Sequence, residues 1–271
     1  MLLCQISDLH IKANGRLAYG IVDTVSMLER CVQRIRALPQ QPDVVIATGD
    51  LVDLGTAAEY GLLRELLSPL TQPLYLLPGN HDERVALRAS FPDHRYLNQF
   101  EPFIQWSVDE YPVRIVGIDT VLPGSGSGQL CAQRLAWLDQ TLSAAPGQPT
   151  VVAMHHPPFV TGIGHMDKLG LDGIEGLAKV LSRHAQVERV VAGHLHRSIT
   201  ARFAGTVASV CPSPAHQVAL DLAQDAADQF VMEPPGFQLH WWSGSQLVTH
   251  TAFVDPAKGP YPFRENGRLI D

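Results

Sequence analysis

The 271-residue chain is poor in several things, and each shortage excludes a class of function. Charged residues make up only 17% of it, the formal net charge is −7, and no run of lysine and arginine occurs. A protein that tracks a nucleic-acid backbone needs a basic patch, so a nucleic-acid polymer is not an expected partner. No apolar run approaches the roughly 18 residues of a membrane span, so no membrane partner is expected. The start, MLLCQISDLH, has no basic stretch and turns polar by the fifth residue, unlike an export signal. The four cysteines, Cys4, Cys31, Cys131 and Cys211, are scattered, with no C-x-x-C pair. That argues against a thiolate zinc site or a redox dithiol and makes reduced thiols and a cytoplasmic location the expectation. No internal repeat or low-complexity tract occurs. What the chain does have is 45% hydrophobic residues, enough for a sizeable core, in a length that fits one large domain or two ordinary ones.

The first two hundred residues alternate strand-like and helix-like patterns. Residues 2–7 read as a strand, and 21–37 place Ile21, Val25, Leu28, Val32 and Ile35 on one helical face. A strand at 43–48 precedes a helix opened by Thr56-Ala57-Ala58-Glu59, which has the form of a capping box. Leu62, Leu63, Leu66 and Leu67 supply its apolar side. A strand at 74–77 and a short helix near 83–90 repeat the unit. Segments 103–109 and 113–118 read as an antiparallel pair around Tyr111-Pro112. Helix 131–142, strand 150–154, helix 173–185 and strand 188–192 follow. This alternation predicts an α/β domain with a largely parallel interior. Beyond about residue 200 come short β-like stretches at 198–203, 206–210, 237–242 and 246–254, separated by prolines and by the acidic run 221–230. The expected division is a catalytic domain over 1–200, rejoined by about 245–271, with 201–244 as a small cap or oligomerisation segment.

Five short clusters of metal-ligating residues follow predicted strands: Asp8-Leu9-His10, Gly49-Asp50, Gly79-Asn80-His81-Asp82, His155-His156-Pro157 and Gly193-His194-Leu195-His196. Six of the twelve histidines lie in them. Residues two apart in an extended segment share a face, so Asp8 and His10 can grip one ion together. A carboxylate can bridge two metals and an imidazole cannot, which makes Asp50 the natural bridge. Asn80 offers a neutral amide oxygen suited to harder ions. Asp8, His10, Asp50, Asn80, His155, His194 and His196 are too many ligands for one tetrahedral zinc. They suit two ions roughly 3.5–4 Å apart, the spacing used for in-line displacement at phosphorus. Nitrogen and oxygen donors without thiolate favour manganese, iron, cobalt or zinc.

The pattern D-x-H, G-D, G-N-H-D, H-H-P-P and G-H-x-H, spanning residues 8–196, resembles the calcineurin-like metallophosphoesterase superfamily. With Tyr19-Gly20 and Pro214-Ala215-His216-Gln217-Val218, the chain is similar to its bacterial branch of class III cyclic-nucleotide phosphodiesterases and glycerophosphodiesterases. The resemblance implies a four-layer α/β/β/α sandwich with a small C-terminal cap or oligomerisation extension. It implies one ion on Asp8, His10, Asp50 and His196, and a second on Asp50, Asn80, His155 and His194. By the same resemblance, His81 sits over the phosphate and stabilises or protonates the departing oxygen, and Asp82 orients it. His156 is not a ligand at the matching family position, and His216 resembles a substrate-side histidine. A homodimer or higher homo-oligomer is also implied.

The expected reaction is hydrolysis of a small phosphodiester, a 3′,5′-cyclic nucleotide or a glycerophosphodiester, by in-line attack of a metal-bound hydroxide. Two divalent ions, two carboxylates and one hydroxide leave one net positive charge, which matches a singly charged diester. Arg84 and Arg197 flank the motifs and could add to that charge. Alternatives are a phosphomonoesterase or nuclease using the same site and, more remotely, a non-catalytic scaffold of the same fold. The loop Pro123–Gly128 lacks the Gly-Lys-Ser/Thr ending of a nucleotide P-loop. It reads instead as a connector near the site, with Ser127 in reach of Asn80. His165 reads as a solvated rim residue, and Phe237 with Trp241-Trp242 as an interface patch.

Overall fold

The computed structural model describes residues 1–270. In chain order its elements are β1 Leu2–Ile6, α1 Thr24–Arg36, β2 Val44–Thr48, α2 Ala57–Leu67, β3 Leu74–Leu77, α3 Arg84–Ser90, β4 Trp106–Val108, β5 Arg114–Gly117 and β6 Gly128–Gln129. There follow α4 Ala132–Ser143, β7 Thr150–Ala153, α5 Gly164–Asp167, β8 Leu171–Asp172, α6 Ile174–Leu181, β9 Val187–Ala192, β10 Ile199–Phe203 and β11 Thr206–Val210. The last are β12 Gln217–Val218, β13 Phe230–Val231, β14 Gly236–Trp242, β15 Leu247–Phe253, β16 Arg264–Glu265 and β17 Arg268–Leu269.

Two sheets form the core, one ordered β15-β14-β1-β2-β3 and the other β10-β11-β9-β7-β5-β4. β1, β2 and β3 run parallel, as do β5, β7, β9 and β11, while antiparallel strands close every edge except that of β3. Every residue of β1, β2, β5 and β7 is buried, as parallel strands covered on both faces require. One face of each sheet meets the other sheet. Gln5 Nε2 donates to Ala192 O at 2.9 Å, Trp106 Nε1 to Leu76 O at 3.0 Å and Gln238 Nε2 to Val210 O at 3.1 Å. Leu28, Val32 and Ile35 of α1 and Leu63, Leu66 and Leu67 of α2 pack into the core of the first sheet. Leu138 and Leu142 of α4 and Leu177 and Leu181 of α6 cover the second. The result is the four-layer α/β/β/α order.

Local differences from the sequence expectation have simple causes. Helix α1 begins at Thr24, because the Asp23 side chain accepts from Ser26 N at 3.1 Å and caps it there. Ile21 therefore lies in the preceding turn, 66% exposed. At α2 the Thr56–Glu59 capping box is formed in both directions. The segment 201–244 divides differently from a separate cap. β11 pairs with β9 and β14 pairs with β1, so 206–210 and 236–242 are integral strands of the two sheets. Only about 211–235 lies outside them, apart from the two-residue pairing of β12 with β13. Phe237 is fully buried, on the face of β14 opposite Gln238, and cannot form an interface patch, while Trp241 farther along the strand is 43% exposed. No helix among the described residues is long and apolar enough to cross a membrane.

Candidate metal centre

All five clusters lie just past the carboxyl ends of parallel strands: β1, β2 and β3 in one sheet, β7 and β9 in the other. The edge where the two sheets meet therefore collects them. Among the described residues nine other than glycine have positive φ, and five are cluster residues: Asp8 (58°), His10 (45°), Asp50 (49°), His194 (73°) and His196 (56°). A left-handed conformation costs an L-residue roughly 1–2 kcal/mol. Such strain is retained where the surroundings impose it, typically at functional sites. Glycines make room for the turns. A Cβ on Gly49, itself at φ +94°, would lie 2.5 Å from His155 Nδ1 and 2.7 Å from Gly79 N. One on Gly79 would overlap Asp50, and one on Gly193 would overlap Ser7.

Asp8, His10, Asp50 and His196 present ligand atoms within 4.8 Å of one another, all buried. His10 Nε2 and His155 Nε2 approach the same oxygen, Asp50 Oδ2, at 3.6 and 3.3 Å. Asn80 Oδ1 lies 3.1 Å from His155 Nε2, and the His155 and His194 rings meet edge to face at 5.2 Å. The seven residues thus converge, with Asp50 between two groups.

The donor set fits divalent cations on two observations. The first is tautomer control: His155 Nδ1 donates to Thr48 O (2.8 Å), His196 Nδ1 to His216 O (3.1 Å) and His194 Nε2 to Leu169 O (3.2 Å). Each ring therefore turns its other nitrogen toward the cluster. His10 Nε2 and His196 Nε2 lie 3.2 Å apart, close for two acceptors unless a cation lies near both. The second is Asp8: Oδ1 accepts from His194 N at 2.8 Å, while the buried Oδ2 has no partner. A buried carboxylate oxygen left bare is costly, and a cation satisfies it.

Charges within the cluster follow from burial and neighbours. Burial pushes the Asp8 carboxyl up to about 6, although His155 and His10 oppose it. Burial also works against the Asp50 charge, but His155, His10 and His81 outweigh it and hold that carboxyl well below its usual range. His155 rises to about 9, because Asp50 and Asp8 overcome the burial that disfavours its cation. Burial, then the His155 charge, lowers His194 to about 3, and burial with the His10 charge pushes His196 well down. Neutral imidazole is the form that ligates a metal.

His81 sits at the edge of this cluster. Its backbone N donates to Asp50 Oδ1 at 2.9 Å, and its ring packs edge-on against His10 with centroids 4.7 Å apart. The side chain is 35% exposed and faces a cleft of about 400 Å³ that also reaches Asp50, Asn80, His194 and His196. Asp82, expected to orient His81, is occupied elsewhere: it accepts from Gly79 N (2.8 Å), Leu51 N (3.0 Å) and Tyr60 Oη (2.8 Å). It braces the loop backbone that carries Asn80. The group at the His81 ring is Asp53, whose carbonyl lies 2.9 Å from Nδ1. Asp53 also places a carboxylate oxygen 3.5 Å from His10 Nδ1 and pairs with Lys12. Asp53 was legible in the sequence only as the third residue after Asp50.

His156 lies beside His155 and His194, yet both its nitrogens are taken, Nδ1 by Thr120 Oγ1 (2.8 Å) and Nε2 by Gly126 O (3.1 Å). It has no lone pair free for an ion and buttresses the His194 ring at 4.5 Å. The glycine-rich loop thus seats His156; Ser127 donates its backbone N–H to Ser125 and does not hydrogen-bond Asn80. His216 is 2% exposed and touches the rings of His196, Tyr19 and Phe230, with Nδ1 unpartnered. Tyr19, part of the stretch that carried the resemblance, also lines the cleft, as do Asp228 and Phe230, which no motif marked. His165 is not solvated: both ring nitrogens are buried, with Asp228 Oδ1 3.4 Å from Nε2. Arg84 is held by Asp119 at 2.7 and 2.8 Å, and Arg197 by Glu233 and Val218 O. Among the described residues, no lysine or arginine lines the cleft.

The calcineurin-like phosphoesterase pattern matches residues 1–198, the span that carries every one of these ligands. The chain belongs to that family. It is 41% identical, over the whole of both chains, to a probable glycerophosphodiester phosphodiesterase of Arcobacter nitrofigilis. It is 30% identical to a glycerophosphodiester phosphodiesterase of Enterobacter lignolyticus, covering 98% of this chain and 96% of that one. A probable cyclic nucleotide phosphodiesterase of Rhodopseudomonas palustris is 33% identical, over 90% and 89%. Among solved structures, a dimetal phosphatase from Danio rerio superposes with a TM-score of 0.68 over 94% of this chain and 96% of that one, at 14% identity. That likeness concerns the calcineurin-like phosphoesterase fold alone.

Proposed function

We propose that this family member hydrolyses small phosphodiesters with two divalent cations, manganese, iron, zinc or cobalt, held on either side of Asp50. One cation would take Asp8, His10, Asp50 and His196, and the other Asp50, Asn80, His155 and His194. The observation that carries the reading is the approach of His10 and His155 to one Asp50 oxygen, in a chain whose full-length relatives bear phosphodiesterase names. Two such cations, when bound, act as Lewis acids on phosphoryl oxygens and lower the pKa of water toward about 7. The residues supply the rest. Asp50 and Asp8 hold negative charge at the inner end of the cleft, and Asn80 adds a neutral ligand, so the site stays moderately cationic. With Arg84 and Arg197 committed elsewhere, that balance suits a singly charged diester better than a doubly charged monoester. His81, its Nδ1 held by the Asp53 carbonyl, presents Nε2 to the departing oxygen and delivers a proton to it.

Residues 211–235 would act as the cap over the mouth, since His216, Val218, Asp228 and Phe230 line the cleft. Self-association is supported by exposed Trp241, Phe253, Tyr261 and Phe263. A cytoplasmic location is supported by the four free thiols. The reading is tested by metal analysis together with turnover of bis-p-nitrophenyl phosphate, p-nitrophenyl phosphate, cyclic AMP and glycerophosphoethanolamine. Near two ions per chain and a preference for diesters are expected. One ion or none, or a preference for the monoester, would overturn it.

A further inference from the structure

The short connection between β11 and β12 touches two of the turns that carry candidate ligands. Ser213, fully buried within it, uses every polar group it has. Its Oγ donates to Asp8 O at 2.8 Å and accepts from Ala215 N at 3.0 Å. Its backbone N donates to His196 O at 3.0 Å, and its carbonyl accepts from Gly236 N at 3.1 Å and from Gln217 Nε2 at 3.2 Å. Three residues on, His216 O accepts from His196 Nδ1 at 3.1 Å. Asp8 follows β1 in one sheet and His196 follows β9 in the other, so this one residue ties the two sheets' ligand turns together. Both residues are left-handed, with φ of 58° and 56°. A hydrogen bond to each carbonyl fixes the ψ that accompanies that strained φ, and with it the direction of the side chain.

The bonds fall on one half of the metal centre. Asp8 and His196 both belong to the Asp8, His10, Asp50 and His196 group. Ligands particular to the other group are held elsewhere: His155 by Thr48 O, His194 by Leu169 O and the Asp8 carboxylate, and Asn80 by the loop that Asp82 braces. The same connection runs on into the cleft wall, where His216 and Val218 stand, and Arg197 Nη1 fastens it again at Val218 O, 2.9 Å away.

We propose that Ser213 is a positioning residue: it sets the cation affinity of the Asp8, His10, Asp50 and His196 site without setting that of its neighbour, and couples occupancy of that site to the order of segment 211–218. This rests on the two-cation reading above. Without the hydroxyl, the Asp8 carbonyl and the Ala215 N–H each lose a buried partner, while the backbone bond to His196 remains. The Asp8 turn then shifts relative to the His196 turn, and the ligands meet less well. The coupling is reciprocal: a cation that draws the two turns together orders the segment, and an ordered segment tightens the cation.

The test uses the full chain, stripped with chelator and titrated calorimetrically with manganese in two backgrounds. Asn80→Ala leaves the Ser213-linked ligand set complete; His196→Ala leaves the other set complete. Adding Ser213→Ala should weaken manganese binding about 10- to 100-fold in the first background and by no more than about twofold in the second. Thr56→Ala, a general loss of stability, should move neither affinity. Hydrogen exchange supplies a second readout. Manganese should protect the amides of 211–218 in the Asn80→Ala protein and not in the His196→Ala protein, and Ser213→Ala should remove most of that protection. Equal weakening in both backgrounds, or weakening in neither, would overturn the role of Ser213. Should Ser213→Ala fail to fold, Ser213→Cys, with its weaker donor, carries the same comparison. Turnover of bis-p-nitrophenyl phosphate by the manganese-loaded wild type separates the two readings. Selective weakening without diester hydrolysis removes the phosphodiesterase reading and keeps the role of Ser213; hydrolysis with both affinities unmoved removes Ser213 alone.

Discussion

His81 and Asp50 are neighbours in space with separable roles, and substitution distinguishes them. His81→Gln removes the proposed proton donor while the candidate metal ligands stay in place. Turnover of diesters with alkoxide leaving groups should fall about 10²- to 10⁴-fold, with a much smaller loss on nitrophenyl esters, whose leaving groups need no proton. Equal losses on both would assign His81 to phosphate binding. Asp50→Asn removes the charge both histidines approach at 3.3 and 3.6 Å; metal analysis should fall from near two ions per chain to one or fewer. His156→Phe keeps the ring packing on His194 and gives up both hydrogen bonds. It should retain both sites with metal affinity weakened about 10- to 100-fold, read by titration. The ligands were legible as residue types; the commitment of both His156 nitrogens was not, because Thr120 and Gly126 come from a distant stretch of chain.

At the scale of elements, the turns after the strands do the positioning, and their cost can be measured. Gly49→Ala puts a methyl 2.5 Å from a ligand histidine at a φ of +94°. It should cost about 2–4 kcal/mol or prevent folding, with loss of metal in whatever folds. Thr56→Ala deletes the capping box of α2, whose side-chain bonds involve no candidate ligand, and should cost about 1 kcal/mol with metal content unchanged. Denaturant melts and metal analysis on the pair separate backbone demand from ordinary stability. The strands of the two main sheets and most helix limits followed from periodicity, whereas the two-residue strands β6, β8, β12, β13, β16 and β17 did not. The start of α1 did not, because Asp23 capping overrides the apolar pattern that reaches back to Ile21.

For the molecule as a whole, the buried polar groups where the sheets meet make stability depend on pH. His240 is fully buried, bonded to Thr249 Oγ1 at 2.8 Å and Gln5 Oε1 at 3.1 Å, and burial lowers its pKa to about 3. The unfolded chain binds that proton near pH 6.5 and the folded one only near 3. Stability from this group is therefore complete above pH 6.5 and is lost as pH falls toward 3. The slope approaches about 1.4 kcal/mol per pH unit where one proton separates the states. Urea melts from pH 7 to pH 4.5 should show wild type losing stability more steeply than His240→Gln; parallel curves would remove His240 from the account.

The sequence by itself determined the ligand types, their spacing and their place after strands, because metal chemistry and strand periodicity are local properties. It also determined the strand-helix alternation of an α/β domain, the four-layer order being what the family resemblance implied. The tertiary structure decided which sheet edge gathers the clusters and that Asp50 is approached from both sides. It likewise showed that Asp53 and not Asp82 holds the His81 ring, and that 206–210 and 236–242 are core strands. Those facts depend on contacts between residues up to about two hundred positions apart, such as His194 N to Asp8, and no local pattern records which distant backbone will supply the partner.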